Sequence, residues 1–158
     1  MHRVCLAFLR FCLSAWVGIA IFFVMVVIDL RHSKLFDDEV KFNHPKILFP
    51  LYYGSESALV GTALVCAGAG LWNARIARPR RIATLALVGA AVGIAIWDYA
   101  VVYRTLVRMM EANVLPAGFV ALHQQSRWLN AAGLGMSVLA AILALWPEDL
   151  RDVEVPRT

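Results

Sequence analysis

FVALHQQSRWLNAAGLGMSVLAAILALW, running from Phe119 to Trp146, is the stretch whose reading decides the fold. In its first part His123, Arg127 and Asn130 stand at i, i+4 and i+7, which puts them on one face of a helix. Its second part is a charge-free apolar run, brought to an end by Pro147 and the acids that follow. Trp128 and Trp146 bracket that run. The eighteen steps between them span about 27 Å of helix at ~1.5 Å each, close to the hydrocarbon thickness of a bilayer. Aromatic side chains at both ends are where a membrane helix meets the headgroups. The spacing therefore predicts a spanning helix with a polar mouth at its N-terminal end.

Composition agrees. Of 158 residues, 61% are hydrophobic and 16% charged, and the mean hydropathy is +0.68. Soluble domains sit nearer about 45–50% apolar and about 25% charged. In such a chain the net charge of +4 speaks first to topology. No Lys/Arg-rich face with interleaved aromatics stands on a soluble element, which argues against a nucleic-acid partner. Cys5, Cys12 and Cys66 all lie in apolar stretches without a C-x-x-C pair, so they read as small buried hydrophobes, not as a disulfide framework or a thiol oxidoreductase. The expected fold is all-α: an integral membrane four-helix bundle, one domain over residues 1–158. Its helices are expected at about 6–28, 47–72, 82–103 and 119–146, with a short polar tail over 147–158.

Phe11 to Ile28 is an uncharged run of 18 residues ending at Asp29. It is too long for a typical signal-peptide core and no small-residue cleavage site follows, so helix 1 is expected to be retained. Ser14 and Gly18 form a small-xxx-small pair suited to close helix packing. Asp29 to Lys46 reads as a polar loop in which Asp37-Asp38-Glu39 has the acids to start a short interfacial helix. His32 and His44 lack any recognised metal-ligand spacing to those acids, so no metal is expected and the histidines read as part of a solvated loop. Helix 2 opens with Phe49, Tyr52 and Tyr53 around Pro50, a residue tolerated in a first turn. Counting back about 20 residues from Arg75 puts the membrane boundary near Ser55, with Glu56 at or about one turn inside it.

Asn73 to Arg81, NARIARPRR, holds four arginines and no acid. By the positive-inside rule this loop is expected to be cytoplasmic, and with four spans both termini follow it. Ala-, Val- and Arg-rich usage hints at a bacterial inner membrane. Helix 3 carries Gly89 and Gly93, a GxxxG packing pair, then Asp98, about 25 Å along the helix from Arg81. Tyr99 and Tyr103 are expected in an aromatic belt, and Arg104 to Pro116 as a short loop. Val17-Gly18-Ile19-Ala20-Ile21 of helix 1 reappears as Val92-Gly93-Ile94-Ala95-Ile96 of helix 3, an echo of common membrane-helix residues.

Asp29, Glu56, Asp98, His123, Arg127 and Asn130 thus all map to the same ends of their helices. Ionisable residues inside a membrane are costly and normally pair in the bundle interior. The expected pairing is Glu56 or Asp98 with Arg127, His123 lying one turn outward. Interfacial snorkelling is the plain alternative. His123 is the one histidine near a membrane segment, which disfavours a bis-histidine haem, and no cofactor is expected.

Three short motifs resemble one family. Ala15-Trp16-Val17-Gly18-Ile19-Ala20-Ile21-Phe22-Phe23 is similar to its W-x-G-x-x-x-F-F first helix. Leu48-Phe49-Pro50-Leu51-Tyr52-Tyr53 is similar to its LFP-x-YY start of helix 2. Phe119-x-x-Leu122-His123-x-x-Ser126-x-x-x-Asn130 is similar to the start of its helix 4. The chain resembles the transmembrane protein 205-like group, a domain of unknown function. That resemblance implies a four-helix membrane protein without an established reaction, and roles in packing or ligand binding for His123, Ser126 and Asn130. The stretch after helix 1 departs from the family's, being rich in acids and lysines.

Three functions are open on these residues. The first is a structural or accessory membrane protein whose partner is the bilayer, homo-oligomeric through Gly89/Gly93 and Ser14/Gly18. The second is a small transporter or ion- and proton-handling protein using Glu56, Asp98, His123 and Arg127. The third, ranked last, is a membrane enzyme. The acids lie on the side opposite to the one that a thiol-cofactor site would use, and no catalytic residue is assigned.

Overall fold

A computed structural model describes residues 2–70, 77–111 and 117–146 of the chain. Every regular element among them is helical: α1 (His2–His32), α2 (Asp38–Gly70), α3 (Arg78–Trp97), a π-helical segment (Asp98–Tyr103), α4 (Arg104–Glu111) and α5 (Phe119–Leu145). α3, the π segment and α4 follow one another without a break, so four long helical bodies make up the described chain. α1 packs on α2, α2 on α3, α3 on α5 and α5 back on α1, a closed ring with up-down-up-down direction.

Two expected loops are mostly helix. The segment 29–46 narrows to residues 33–37, because α1 runs on to His32 and α2 starts at Asp38. Asp37 caps that start: its Oδ1 accepts from the Val40 amide at 2.8 Å and its carbonyl from Lys41 at 3.1 Å. Asp38 and Glu39 then sit in the first turn, where the helix dipole favours acids. Pro45 and Pro50 therefore lie inside α2 and not in a first turn; each removes an i→i−4 bond from the ladder. His44 is not in a solvated loop either. It is half-buried on α2, and both of its ring nitrogens are enclosed without a hydrogen-bond partner. The loop expected at Arg104–Pro116 is helical as far as Glu111, with Leu106 and Met110 buried. α5 agrees with expectation to within a residue. Arg75, the last two residues expected of helix 2, and the tail over 147–158 lie outside the described residues.

Among the described residues three stretches are long and apolar enough to cross a membrane: Arg3–His32, Arg78–Glu111 and Phe119–Leu145. α2, as far as it is described, is not among them. Its polar N-terminal third, two prolines and the Ser55-Glu56-Ser57 step lower its apolar content. The core is a column of small and aromatic side chains: Leu13, Trp16 and Ala20 from α1, Val60, Ala63 and Ala67 from α2, Val88 and Ala91 from α3, Ala140 and Ala144 from α5. Large apolar residues also cover the outward faces, with Phe11, Phe22, Leu51, Val65 and Ile96 each more than half exposed.

The expected packing glycines do not do the packing within the chain. Ser14, Gly18 and Gly93 are exposed, and a Cβ on Gly18 or Gly93 would meet nothing within 4 Å. Gly89 faces Leu64 at an ordinary 3.9 Å. Alanines and Ser137 occupy the close approaches instead. The repeated VGIAI segments stand on α1 and α3, which occupy opposite corners of the ring.

Candidate functional site

The site is built around Asp98, the first residue of the π segment. A π turn carries an extra residue and so changes which side chains face inward; here the Arg104 amide reaches back five residues to the Tyr99 carbonyl. Asp98 is 1% exposed, and three side chains from two other helices, α2 and α5, serve one of its oxygens. Its Oδ2 accepts from the Tyr53 hydroxyl of α2 at 2.5 Å, from Asn130 Nδ2 of α5 at 2.5 Å and from the Ser126 hydroxyl of α5 at 3.1 Å. Ser126 and Asn130 are four apart on α5, hence on one face. Asn130 Nδ2 also bonds the Ser126 carbonyl at 2.9 Å, which fixes the amide's direction. Asp98 Oδ1, by contrast, is buried without a hydrogen-bond partner among the described residues.

One turn of α2 beyond Tyr53 is Glu56, 6% exposed. Its carboxyl is within Coulombic reach of Asp98, and it makes no hydrogen bond or ion pair among the described residues. Glu56 lines a cleft of about 270 Å³ between α2 and α3, together with Tyr53, Val60, Val92, Ile96 and Tyr99. An aromatic wall stands behind it. Tyr53 lies 5.3 Å from Tyr99 and 4.8 Å from Tyr103, Tyr99 stacks on Tyr103 at 5.7 Å, and Tyr52 packs on Trp16 at 5.0 Å.

Of the residues expected at the polar mouth, Asp98, Ser126 and Asn130 are thus in direct contact and Glu56 adjoins them. Arg127 does not join them, which corrects the expected ion pair. Ser126 faces inward, so its chain neighbour points about 100° away; Arg127 is exposed and donates to Gln124 Oε1 at 3.3 Å. His123 is half-buried, with its ring stacked on Phe119 at 6.1 Å, and Asp29 is exposed. The residue that sequence reasoning missed is Tyr53, assigned to an aromatic cluster although its hydroxyl binds the carboxylate. A signal was present: Tyr53 and Glu56 are three apart, so a carboxylate near one is near the other.

The site has the donors to hold an anionic Asp98, and all of them converge on one oxygen. No group of three His, Cys, Asp or Glu side chains gathers among the described residues, and a metal ion at Oδ2 would meet hydroxyl and amide hydrogens in place of lone pairs. The arrangement surrounds one buried carboxyl with hydrogen-bond donors beside a second that has no hydrogen-bond or ion-pair partner among the described residues and lines a cleft.

The opposite end of the ring carries the other polar construction. Arg80 Nε donates to the Leu143 carbonyl at 2.5 Å, and its Nη2 to the Trp146 carbonyl at 2.5 Å. Arg10 Nε donates to the Ala144 carbonyl at 2.8 Å. Two arginines from α1 and α3 therefore satisfy the last turn of α5, where carbonyls lack helical partners and the dipole favours cations. Cys5, Cys12 and Cys66 are free thiols in this half.

Comparison with known proteins gave no matching family model, no matching curated protein and no matching solved structure.

Proposed function

We propose that the chain is a multi-pass integral membrane protein that handles a proton or another monovalent cation at Glu56, with Asp98 as the fixed neighbouring charge. The single observation that carries this reading is Glu56 itself, buried, unpartnered and lining a cleft. Carboxylates in an apolar interior without a cation are retained against a cost, and such residues in membrane helices mark ion or proton pathways. Membrane insertion is supported by three apolar stretches of spanning length and by the apolar outward faces. In this reading α2, packed between α1 and α3, crosses with them as a fourth span. The arginine end, containing Arg10, Arg78, Arg80 and Arg81, is cytoplasmic, as are both termini. The membrane is the inner membrane of a bacterium, and the chain belongs with the transmembrane protein 205-like group. Asn130 and Ser126 precede Ala144 by fourteen and eighteen residues, so the carboxylate site lies about 21–27 Å from the arginine end, towards the far side of a ~30 Å hydrocarbon core.

A hydrophobic carbodiimide tests the reading. It reacts with protonated carboxyls reached from an apolar phase, so it labels Glu56, found by peptide mass mapping, and Glu56→Gln abolishes the adduct. The sign with pH follows: only the protonated acid reacts, so labelling is highest at low pH and falls as pH rises. A folded protein unlabelled at Glu56 at any pH refutes the proposal.

A structural bundle is the second reading, favoured by the way Asp98 ties α2, α3 and α5 together through a single oxygen. It requires Glu56 to be chemically silent.

A further inference from the structure

We propose that the cleft between α2 and α3 takes a small amphipathic organic cation, admitted sideways from the bilayer. The ammonium head lies against Glu56 and the Tyr99 ring, and the alkyl part lies along Val60, Val92 and Ile96. The proposal rests on the ion-handling reading of Glu56 and names the class of cation.

Four observations carry it. The first is charge. Two buried carboxyls stand within Coulombic reach of each other, and the nearest arginine on α5 is turned away to Gln124. Glu56 is 94% buried by its 6% exposure, makes no hydrogen bond or ion pair among the described residues, and lines the cavity. A cationic ligand is the chemistry that satisfies it. The second is the wall opposite: Tyr53 and Tyr99 line the same cleft 5.3 Å apart, edge to face. Tyrosine faces attract ammonium groups, more strongly when desolvated, and that attraction separates an organic ammonium from a hydrated metal ion. The third is the remainder of the lining: Val60, Gly61, Val92, Ala95, Ile96 and Ala100 are apolar, and the one further polar side chain, Ser57, is the chain neighbour of Glu56 and so stands at the head end. At about 270 Å³ the cleft is just under the ~300–1,000 Å³ of drug-sized sites, so the ligand is small.

The fourth is direction. Ser57, Ile96, Tyr99 and Ala100 line the cleft and are themselves exposed on the outer flank of the bundle. In a membrane that flank faces lipid, so the opening is lateral. An amphipathic cation dissolved in the bilayer enters head first past Tyr99, meets the carboxyl of Glu56 at the inner end, and leaves its alkyl part along Ile96 towards the opening.

The experiment uses the whole protein in lipid nanodiscs and hexyltrimethylammonium as the probe, a quaternary cation that does not itself react with a carbodiimide. Saturating probe slows carbodiimide labelling of Glu56 at least fivefold, while n-hexanol, of equal chain length and no charge, does not. Tyr99→Leu keeps the apolar wall but removes the π face, and raises the half-protecting concentration about 2- to 30-fold. Ala95→Phe fills the cleft from its wall, leaves both carboxyls in place, and abolishes protection. Calorimetric titration of the same probe into the parent and Glu56→Gln reads binding without any label: heat in the parent and none in the variant is expected. Protection by hexanol equal to that by the cation overturns the proposal, as does equal heat in parent and variant. Labelling of Glu56 that the cation leaves unchanged also overturns it, and leaves the ion-handling reading standing. Absence of labelling at every pH removes that reading first, and the calorimetry then decides the cation on its own.

Discussion

The two ends of the ring treat buried charge in opposite ways. At one end Arg10 and Arg80 reach the final carbonyls of α5, so each positive charge meets oxygens that the helix itself leaves unsatisfied. At the other end Asp98 and Glu56 stand within Coulombic reach of each other, with hydroxyls and an amide on Asp98, tyrosine rings nearby and no cation in contact among the described residues. The arginines complete the fold. The carboxyls are held by it. A bundle that needed polar residues only for register would put opposite charges together, so the asymmetry separates what stabilises from what is retained at a cost.

Thermal or denaturant unfolding in detergent can break that contrast. Arg80→Gln is expected to have the largest effect, a loss of about 2–4 kcal/mol, because charge-assisted bonds to Leu143 and Trp146 vanish and leave carbonyls unpaired. An equal loss in Glu56→Gln would erase the contrast. Tyr53→Phe comes next, at about 1–2 kcal/mol, since it removes one short buried bond to the Asp98 carboxyl while Asn130 and Ser126 still serve the same oxygen. Glu56→Gln is expected to leave stability unchanged or to raise it by about 1 kcal/mol, because it removes a buried, unpartnered acid. Arg127→Gln should fall within about 0.5 kcal/mol of the parent, as an exposed residue bonded only to Gln124. A larger loss there would restore the ion pair that the sequence suggested.

How far the sequence can be read depends on which property is periodic. α5 is legible almost to the residue because its apolar run, its bracketing tryptophans and Pro147 all mark the same limits. α2 is not: six of its first nine residues are polar, so the apolar run starts well after the helix does, and the helix start is marked by the Asp37 cap. The continuation over Arg104–Glu111 is hidden for the same reason. In the site, helical spacing groups Asn130 with His123 and Arg127, Ser126 comes only with the family resemblance, and one residue's rotation about the axis decides that Ser126 and not Arg127 reaches the carboxyl. Gathering charges at one end is a matter of counting; deciding which of them touch needs the orientation of each helix. Tyr53 escapes because an aromatic near a boundary looks like a belt residue until its hydroxyl has a partner. The three motifs that carry the family resemblance meet in space: Trp16 on Tyr52, Tyr53 on Asp98, and Ser126 and Asn130 on the same carboxylate.

The π segment has a consequence for how this chain tolerates changes in length. An α-helix that loses one residue turns everything beyond it by about 100°, and in a buried span that is ruinous. A π turn already holds one residue more than an α turn. Deleting one position among 99–102 leaves enough chain to close an ordinary turn between Asp98 and Arg104. The helix would survive with the Leu106 and Met110 side still inward, while Tyr99 and Tyr103 would go from four residues apart to three and lose their present stacking. Asp98 therefore sits beside the one place in α3–α4 where the reading of length is loose, and the tyrosine wall is what that spare residue maintains.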